Sequence, residues 1–228
     1  MDILTNIKNI KNRVTKACNH VNRNPEEVEI IAVSKTISPE AIKIAIDNGI
    51  KHIGENRVQE AWEKYQVLGK TVRWHLIGHL QTNKVKKALQ MFDIIHSVDS
   101  KHLAEEINKR ALQHQKSVDV LVEVNTSAEE TKFGCQPDEI IPLLKKIAPL
   151  PALNVCGLMT IGAFLPDPED VRPCFRLLRQ KLEESNQKIE GVALKYLSMG
   201  MTNDFEVAIE EGANMIRIGR AIFKERGK

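Results

Sequence analysis

The chain contains no CxxC pair. Its four cysteines, Cys18, Cys135, Cys156 and Cys174, are widely scattered, which excludes the spacing of a zinc site or a redox dithiol. Isolated thiols of this kind suit a reducing cytoplasm, where they act as small buried hydrophobes. No apolar run approaches the roughly 20 residues of a membrane span, and no signal-peptide h-region is present. Neither sign of charge dominates: 33 Lys and Arg against 30 Asp and Glu leave a net +3, too little for a nucleic-acid binder. The densest basic cluster, around Lys84, Lys86 and Lys87, reads as a solvated helix face. There is no HExxH; His75 and His79 lie four apart on a strand and its exit rather than on one helix face, so no metal site is expected.

The 228 residues, 42% hydrophobic and 28% charged, suit one soluble domain spanning 1–228. The basic N-terminus (Lys8, Lys11, Arg13, Lys16) carries Ile7, Ile10, Val14 and Val21 at helical spacing, which predicts a packed first helix. Eight short apolar runs follow, at 29–35, 51–56, 72–78, 93–98, 118–125, 153–162, 194–200 and 214–219. Helical patterns separate them at 39–48, 57–68, 82–91, 100–113, 138–148, 167–187 and 202–211. Strands apolar on both faces and separated by helices imply parallel pairing with right-handed crossovers. Eight such units in this length favour a closed (β/α)8 barrel of the TIM type, and no GxGxxG follows the first strand to argue for an open sheet.

Chemistry in such a barrel collects at the C-terminal ends of the strands. The polar residues fall there: Lys35, Asn56, His79, Glu123, Asn125, Ser198 and Thr202 lie at or near the end of a run, and Gly219 closes the last. The last two loops, Ser198-Met199-Gly200-Met201-Thr202 and Arg217-Ile218-Gly219-Arg220, combine hydroxyls, glycines and helix starts, a pattern suited to phosphate. Lys35 terminates what reads as a buried strand. A lysine there costs free energy unless its amine is neutral, paired or covalently used, and a neutral amine is what attacks an aldehyde. Arg217 interrupts an apolar strand and so is expected to face an occupied interior, or else to form an ion pair with Glu123 or another acid. His52, His75 and His96 fall inside strands, as core or supporting residues.

Several motifs in order, AVSK, GENRVQE, WHLIGHLQTNKVK, LMTIG, LSMGMTND and MIRIGRAIF, resemble those of the pyridoxal phosphate homeostasis proteins, single-domain relatives of the alanine racemase N-terminal barrel. The resemblance covers nearly the whole chain. It implies a fold type III-like barrel with an extra N-terminal helix, binding pyridoxal 5′-phosphate (PLP) as a Schiff base on Lys35. It places Asn56 beside the cofactor and Arg217 opposite the ring nitrogen; His79, at a strand end, is expected to approach the cofactor from its position alone. Ser198, Gly200, Met201, Thr202, Gly219 and Arg220 would make the phosphate loops. The departures are Leu76 for a Phe or Met, Thr202 for a serine, Arg220 for a small hydroxyl residue, and Lys224 for a glycine.

The resemblance also implies a cytoplasmic, monomeric protein without robust catalytic activity. Such a protein would contribute to PLP and to amino-acid and keto-acid balance, with PLP-dependent apo-enzymes as partners. Two other readings share Lys35: a PLP-dependent amino-acid racemase and a class I aldolase. Racemization through two bases needs an acid/base on each face of the α-carbon. In the related racemases a second domain supplies a tyrosine for one face. No such domain is expected here, and Tyr65 and Tyr196 both fall in structural segments.

Overall fold

The computed structural model describes residues 2–129 and 131–223; Lys224 lies outside them. Eight parallel strands close on one another in chain order. They are β1 (Glu29–Val33), β2 (His52–Glu55), β3 (Arg73–Leu76), β4 (Ile94–Val98), β5 (Val118–Glu123), β6 (Leu153–Met159), β7 (Tyr196–Ser198) and β8 (Met215–Ile218). Closure is made where β8 pairs with β1, Ile216 opposite Ile30 and Ile218 opposite Ala32. Each expected apolar run contains one strand, usually a residue or two shorter than the run.

The helices are α1 (Ile3–His20), α2 (Pro39–Asp47), α3 (Val58–Leu68), α4 (Val85–Ala88), α5 (Lys101–Gln113), α6 (Ile140–Ile147), α7 (Arg172–Lys188), α8 (Phe205–Glu210) and α9 (Arg220–Phe223). Local chemistry sets several starts. The Asp2 carboxylate accepts from the Thr5 N–H at 2.7 Å to cap α1, and Ser38 precedes Pro39 at the first turn of α2. Two kinds of expectation are corrected. The stretches 82–91, 138–148 and 167–187 open with 3-10 turns before α4, α6 and α7, and α8 begins at Phe205 rather than Thr202. The second shift has a cause: the Asp204 carboxylate accepts from the Met201 N–H at 2.6 Å, closing a turn that holds 201–204 out of the helix.

The principal core lies between barrel and helices, with Trp74, Phe175 and Phe205 its largest fully buried side chains. A smaller cluster, Ile31, Ile94, Leu121, Cys156, Met159 and Met215, fills the barrel itself. The four cysteines are free and buried. α1 packs across α8 and α9, and the buried Asn6 side-chain amide donates to the Ile222 carbonyl at 2.9 Å. Among the described residues no helix is long and apolar enough to cross a membrane.

Candidate functional site

A cavity of about 420 Å³ opens at the C-terminal ends of the strands. Lys35, Asn56, Met201, Thr202, Arg217, Gly219 and Arg220 line it, together with Asn203, Asp204 and an apolar wall that includes Ile161 and Phe164. Seven of the ten residues singled out in the sequence therefore meet at one mouth, although they come from both ends of the chain.

Lys35 differs from expectation in one respect. β1 ends at Val33, Ser34 is buried, and the chain turns at Thr36 with φ +64°, so Lys35 is exposed at the rim rather than buried in a strand. A β-branched residue in the left-handed region stores strain of about 1–3 kcal/mol. The turn is held from both sides. Lys64, in α3, gives all three ammonium hydrogens to acceptors: the Ser34 carbonyl at 2.5 Å, Glu55 Oε1 at 2.7 Å and Glu60 Oε1 at 2.7 Å. Glu55 Oε1 also accepts from the Ser34 hydroxyl, and Glu60 Oε1 from the Thr36 N–H at 2.6 Å. One buried ammonium thus fixes the residues immediately before and after Lys35. Burial pushes the Glu55 carboxyl up, against the lowering by Lys64 and Ser34.

Arg217 is 4% exposed and lies across the floor of the cavity. Its Nη1 donates to Ser198 Oγ and its Nη2 to the Thr160 carbonyl, each at 2.7 Å. Both partners are neutral. The ion pair with Glu123 considered from the sequence is not formed; Glu123 Oε2 has no hydrogen-bond partner among the described residues. Burial lowers the Arg217 guanidinium to about 10, against the raising effect of Asp204 and Glu123, and leaves it charged at neutral pH. Burial, with Asp99 adding to it, pushes the Glu123 carboxyl up to about 7.

Three expected residues stand outside the lining. Ser198 lies beneath it, fully buried, as the acceptor for Arg217. Gly200 is a packing residue at φ +88°, where a Cβ would come within 2.6 Å of Ala208 Cβ. His79 is exposed and stacks on Phe133, ring centroids 4.1 Å apart, with Asp99 at 3.7 Å from its Nδ1. Its position at a strand end suggested the cavity; a flat ring and an exposed Phe133 give it another neighbour. Missing from the sequence reading were Thr160, Asp204 and the Lys64 clamp. The i, i+4 spacing of Glu60 and Lys64 was the one signal for the clamp, and it is common on solvated helices.

The cavity contains donors suited to an anionic, aldehyde-bearing ring compound: one accessible amine, one buried guanidinium without a carboxylate partner, and unspent backbone donors. The N–H groups of Thr202, Asn203 and Gly219 have no protein acceptor among the described residues. Asn56 is seated against the segment that follows β3, where a Cβ on Gly78 would overlap the Asn56 carbonyl and approach its Cα to 2.8 Å. Gly78→Ala is therefore expected to destabilise the fold by about 1–3 kcal/mol and to displace Asn56. Urea unfolding checks this, and a change of only a few tenths of a kcal/mol would remove the close approach as a constraint.

The model of the alanine racemase N-terminal domain family matches residues 5–227. A relative from Aquifex aeolicus (strain VF5), called pyridoxal phosphate homeostasis protein, is 46% identical over 227 residues, 99% of each chain. Among solved structures, a protein of unknown function from Bifidobacterium adolescentis superposes with a TM-score of 0.92 at 38% identity, covering 97% of this chain and 94% of its own. PipY of Synechococcus elongatus PCC7942 with PLP bound gives 0.82 at 34% identity, covering 92% and 99%.

Proposed function

Because this chain belongs to the family of pyridoxal phosphate homeostasis proteins, built on the alanine racemase N-terminal domain, we propose that its barrel mouth holds PLP and that the protein contributes to PLP and to amino-acid and keto-acid balance. The observation that carries this reading is the meeting around one cavity of Lys35, Arg217 and the N–H groups of Thr202, Asn203 and Gly219, which have no acceptor among the described residues. Bound PLP supplies an aldehyde open to reversible attack by an amine and a pyridine ring that accepts electron density. Lys35 Nζ is the point of covalent attachment. The N–H groups of Thr202, Asn203 and Gly219 bind the phosphate, with Met201 and Arg220 flanking them. Asp204 shapes the loop from which two of those donors project. Asn56 lies along the cofactor, and the exposed Ile161 and Phe164 offer it an apolar wall.

Arg217 is assigned to the ring nitrogen. A guanidinium there disfavours protonation of that nitrogen, since two cations repel. The residues around the cavity thus favour retention over turnover. The racemase alternative needs a second acid/base facing the cavity. Tyr65 packs edge-on against Trp74, its ring centroid 5.6 Å away, Tyr196 sits beneath Lys195, and neither lines the cavity. We assign the protein to the cytoplasm as a monomeric holder that supplies PLP-dependent apo-enzymes, consistent with four free, buried thiols.

Borohydride reduction of the protein loaded with PLP tests the assignment. A stable adduct mapped by mass spectrometry to Lys35, and lost in Lys35→Ala, is expected; an adduct on any other lysine refutes it. Solvent-deuterium exchange at the α-carbon of a panel of amino acids tests the racemase alternative, and none is expected.

A further inference from the structure

A row of imidazoles crosses the barrel beneath the cavity. His52, His75 and His96 stand on the adjacent strands β2, β3 and β4. His52 Nδ1 lies 3.0 Å from His75 Nε2, and His75 Nδ1 lies 2.9 Å from His96 Nε2. His96 Nδ1 then meets Ser198 Oγ at 3.0 Å, on the far side of the barrel, and Ser198 Oγ accepts from Arg217 Nη1. Each ring is joined to the next through Nδ1 on one side and Nε2 on the other, so one tautomer repeated three times satisfies the whole row.

Arg217 is a buried cation whose hydrogen bonds among the described residues go to neutral groups. A buried charge without an opposing partner is costly unless oriented dipoles compensate it. Burial keeps the three rings neutral: it takes His52 down to about 4, with Arg73 and Lys51 adding to the effect, and His75 and His96 well below their usual range.

Two proton orders are available, and hydrogen-bond accounting separates them. If His96 donated from Nδ1, Ser198 Oγ would receive two N–H groups and its own hydrogen would have no acceptor among the described residues. Ser198 is fully buried, so that hydrogen would be stranded. In the opposite order Ser198 donates to His96 Nδ1, His96 Nε2–H to His75 Nδ1, and His75 Nε2–H to His52 Nδ1. Every hydrogen bond from Ser198 to His52 Nδ1 is then made and no hydrogen of Ser198 is stranded; Glu29 Oε2, 3.8 Å from His52 Nδ1, has no hydrogen-bond partner among the described residues in either order. The negative end of each ring dipole faces Arg217.

We propose that His96, His75 and His52 are positioning residues for Arg217: all three carry their hydrogen on Nε2, they orient the Ser198 hydroxyl, and they direct a row of lone pairs toward the guanidinium. Arg217 then keeps its charge without a carboxylate to occupy its inner face. The influence of this row on the cofactor rests on the assignment of Arg217 to the ring nitrogen; its proton order does not.

The test has two arms. In the first, histidine side-chain 15N–1H spectra of the full chain without cofactor are expected to show protonated Nε2 and unprotonated Nδ1 at all three positions. A hydrogen on Nδ1 of any of them overturns the proposal. In the second, PLP labelled with 15N in the ring is bound to the wild type, His75→Gln and His75→Leu. The glutamine amide can accept from His96 and donate to His52, so the ring-nitrogen resonance and visible absorbance should match the wild type. The leucine variant should shift both and lose PLP about tenfold faster, equivalent to about 1.4 kcal/mol. Equal behaviour of the two variants overturns the proposal. Should His75→Leu fail to fold, the first arm decides alone. Mapping of the borohydride adduct in each sample shows separately whether PLP is on Lys35, so loss of the cofactor assignment is distinguishable from failure of the histidine row.

Discussion

Lys64→Met is expected to destabilise the protein by about 3–5 kcal/mol, the usual cost of removing one partner from a buried ion pair. Glu55 would remain, fully buried, with no counter-charge, and the Ser34 carbonyl would lose its donor. Protonation of Glu55 would relieve part of that cost, since its carboxyl is already pushed up by burial. The double variant Glu55→Gln/Lys64→Met removes both charges and should recover a measurable fraction in urea unfolding. The local consequence concerns the turn that carries Lys35. With Glu60 no longer anchored by Lys64, the strained Thr36 has less to hold it at φ +64°. Amide exchange at 34–36 should therefore accelerate by more than global destabilisation predicts, and PLP should dissociate faster. A loss under 1 kcal/mol, with exchange unchanged, would reduce the clamp to an incidental contact.

Acid is expected to unfold the protein through its interior histidines. His52 stays neutral in the fold down to about 4, whereas an unfolded histidine binds a proton near 6.5. Below 6.5 the unfolded chain therefore binds more protons, and stability falls as pH drops toward 4, by about 3 kcal/mol from this residue alone. His75 and His96 act in the same direction. Glu123 acts oppositely. Its folded value of about 7 lies above the ordinary 4.5, so its contribution is present at low pH and is lost as pH rises through 7. Glu29, Glu55 and Asp204, also raised by burial, side with Glu123 and moderate the acid limb. Differences between variants isolate each term. His52→Gln should flatten the dependence between 4 and 6.5 by about 1.4 kcal/mol per pH unit, and Glu123→Gln should remove the decline from 4.5 to 7. Urea midpoints at four pH values suffice; curves parallel to the wild type would refute both assignments.

The barrel was largely legible in the sequence because its signals are local. Runs such as 118–125 alternate with helical periodicity, and Gly49 and Gly212, both at positive φ, mark helix ends. Errors arose where a side chain overrode the local pattern, as when Asp204 capped Met201 and delayed α8. The cavity lining was legible from strand ends. The groups supporting it were not. His96 and Ser198 are 102 residues apart, and only closure makes them neighbours. Lys35 looked buried because the run reads through it; the structure ends the strand two residues earlier.

The contact between Asn6 and Ile222 has a bearing on how the protein is made. It spans 216 positions, and the cavity shares this split, with Lys35 and Asn56 early in the chain and residues 201–220 late. At translation rates of about 5–20 residues per second, the first half of the site waits many seconds for the second. Until then Lys35 stands without residues 201–220 across the cavity, and the β1 edge without β8 to cover it. On the proposed function, cofactor capture therefore waits for the pairing of β8 with β1. On that reading a ligand bound only by the closed barrel stabilises it, and PLP supply would set how much of the newly made protein persists as well as how much is loaded.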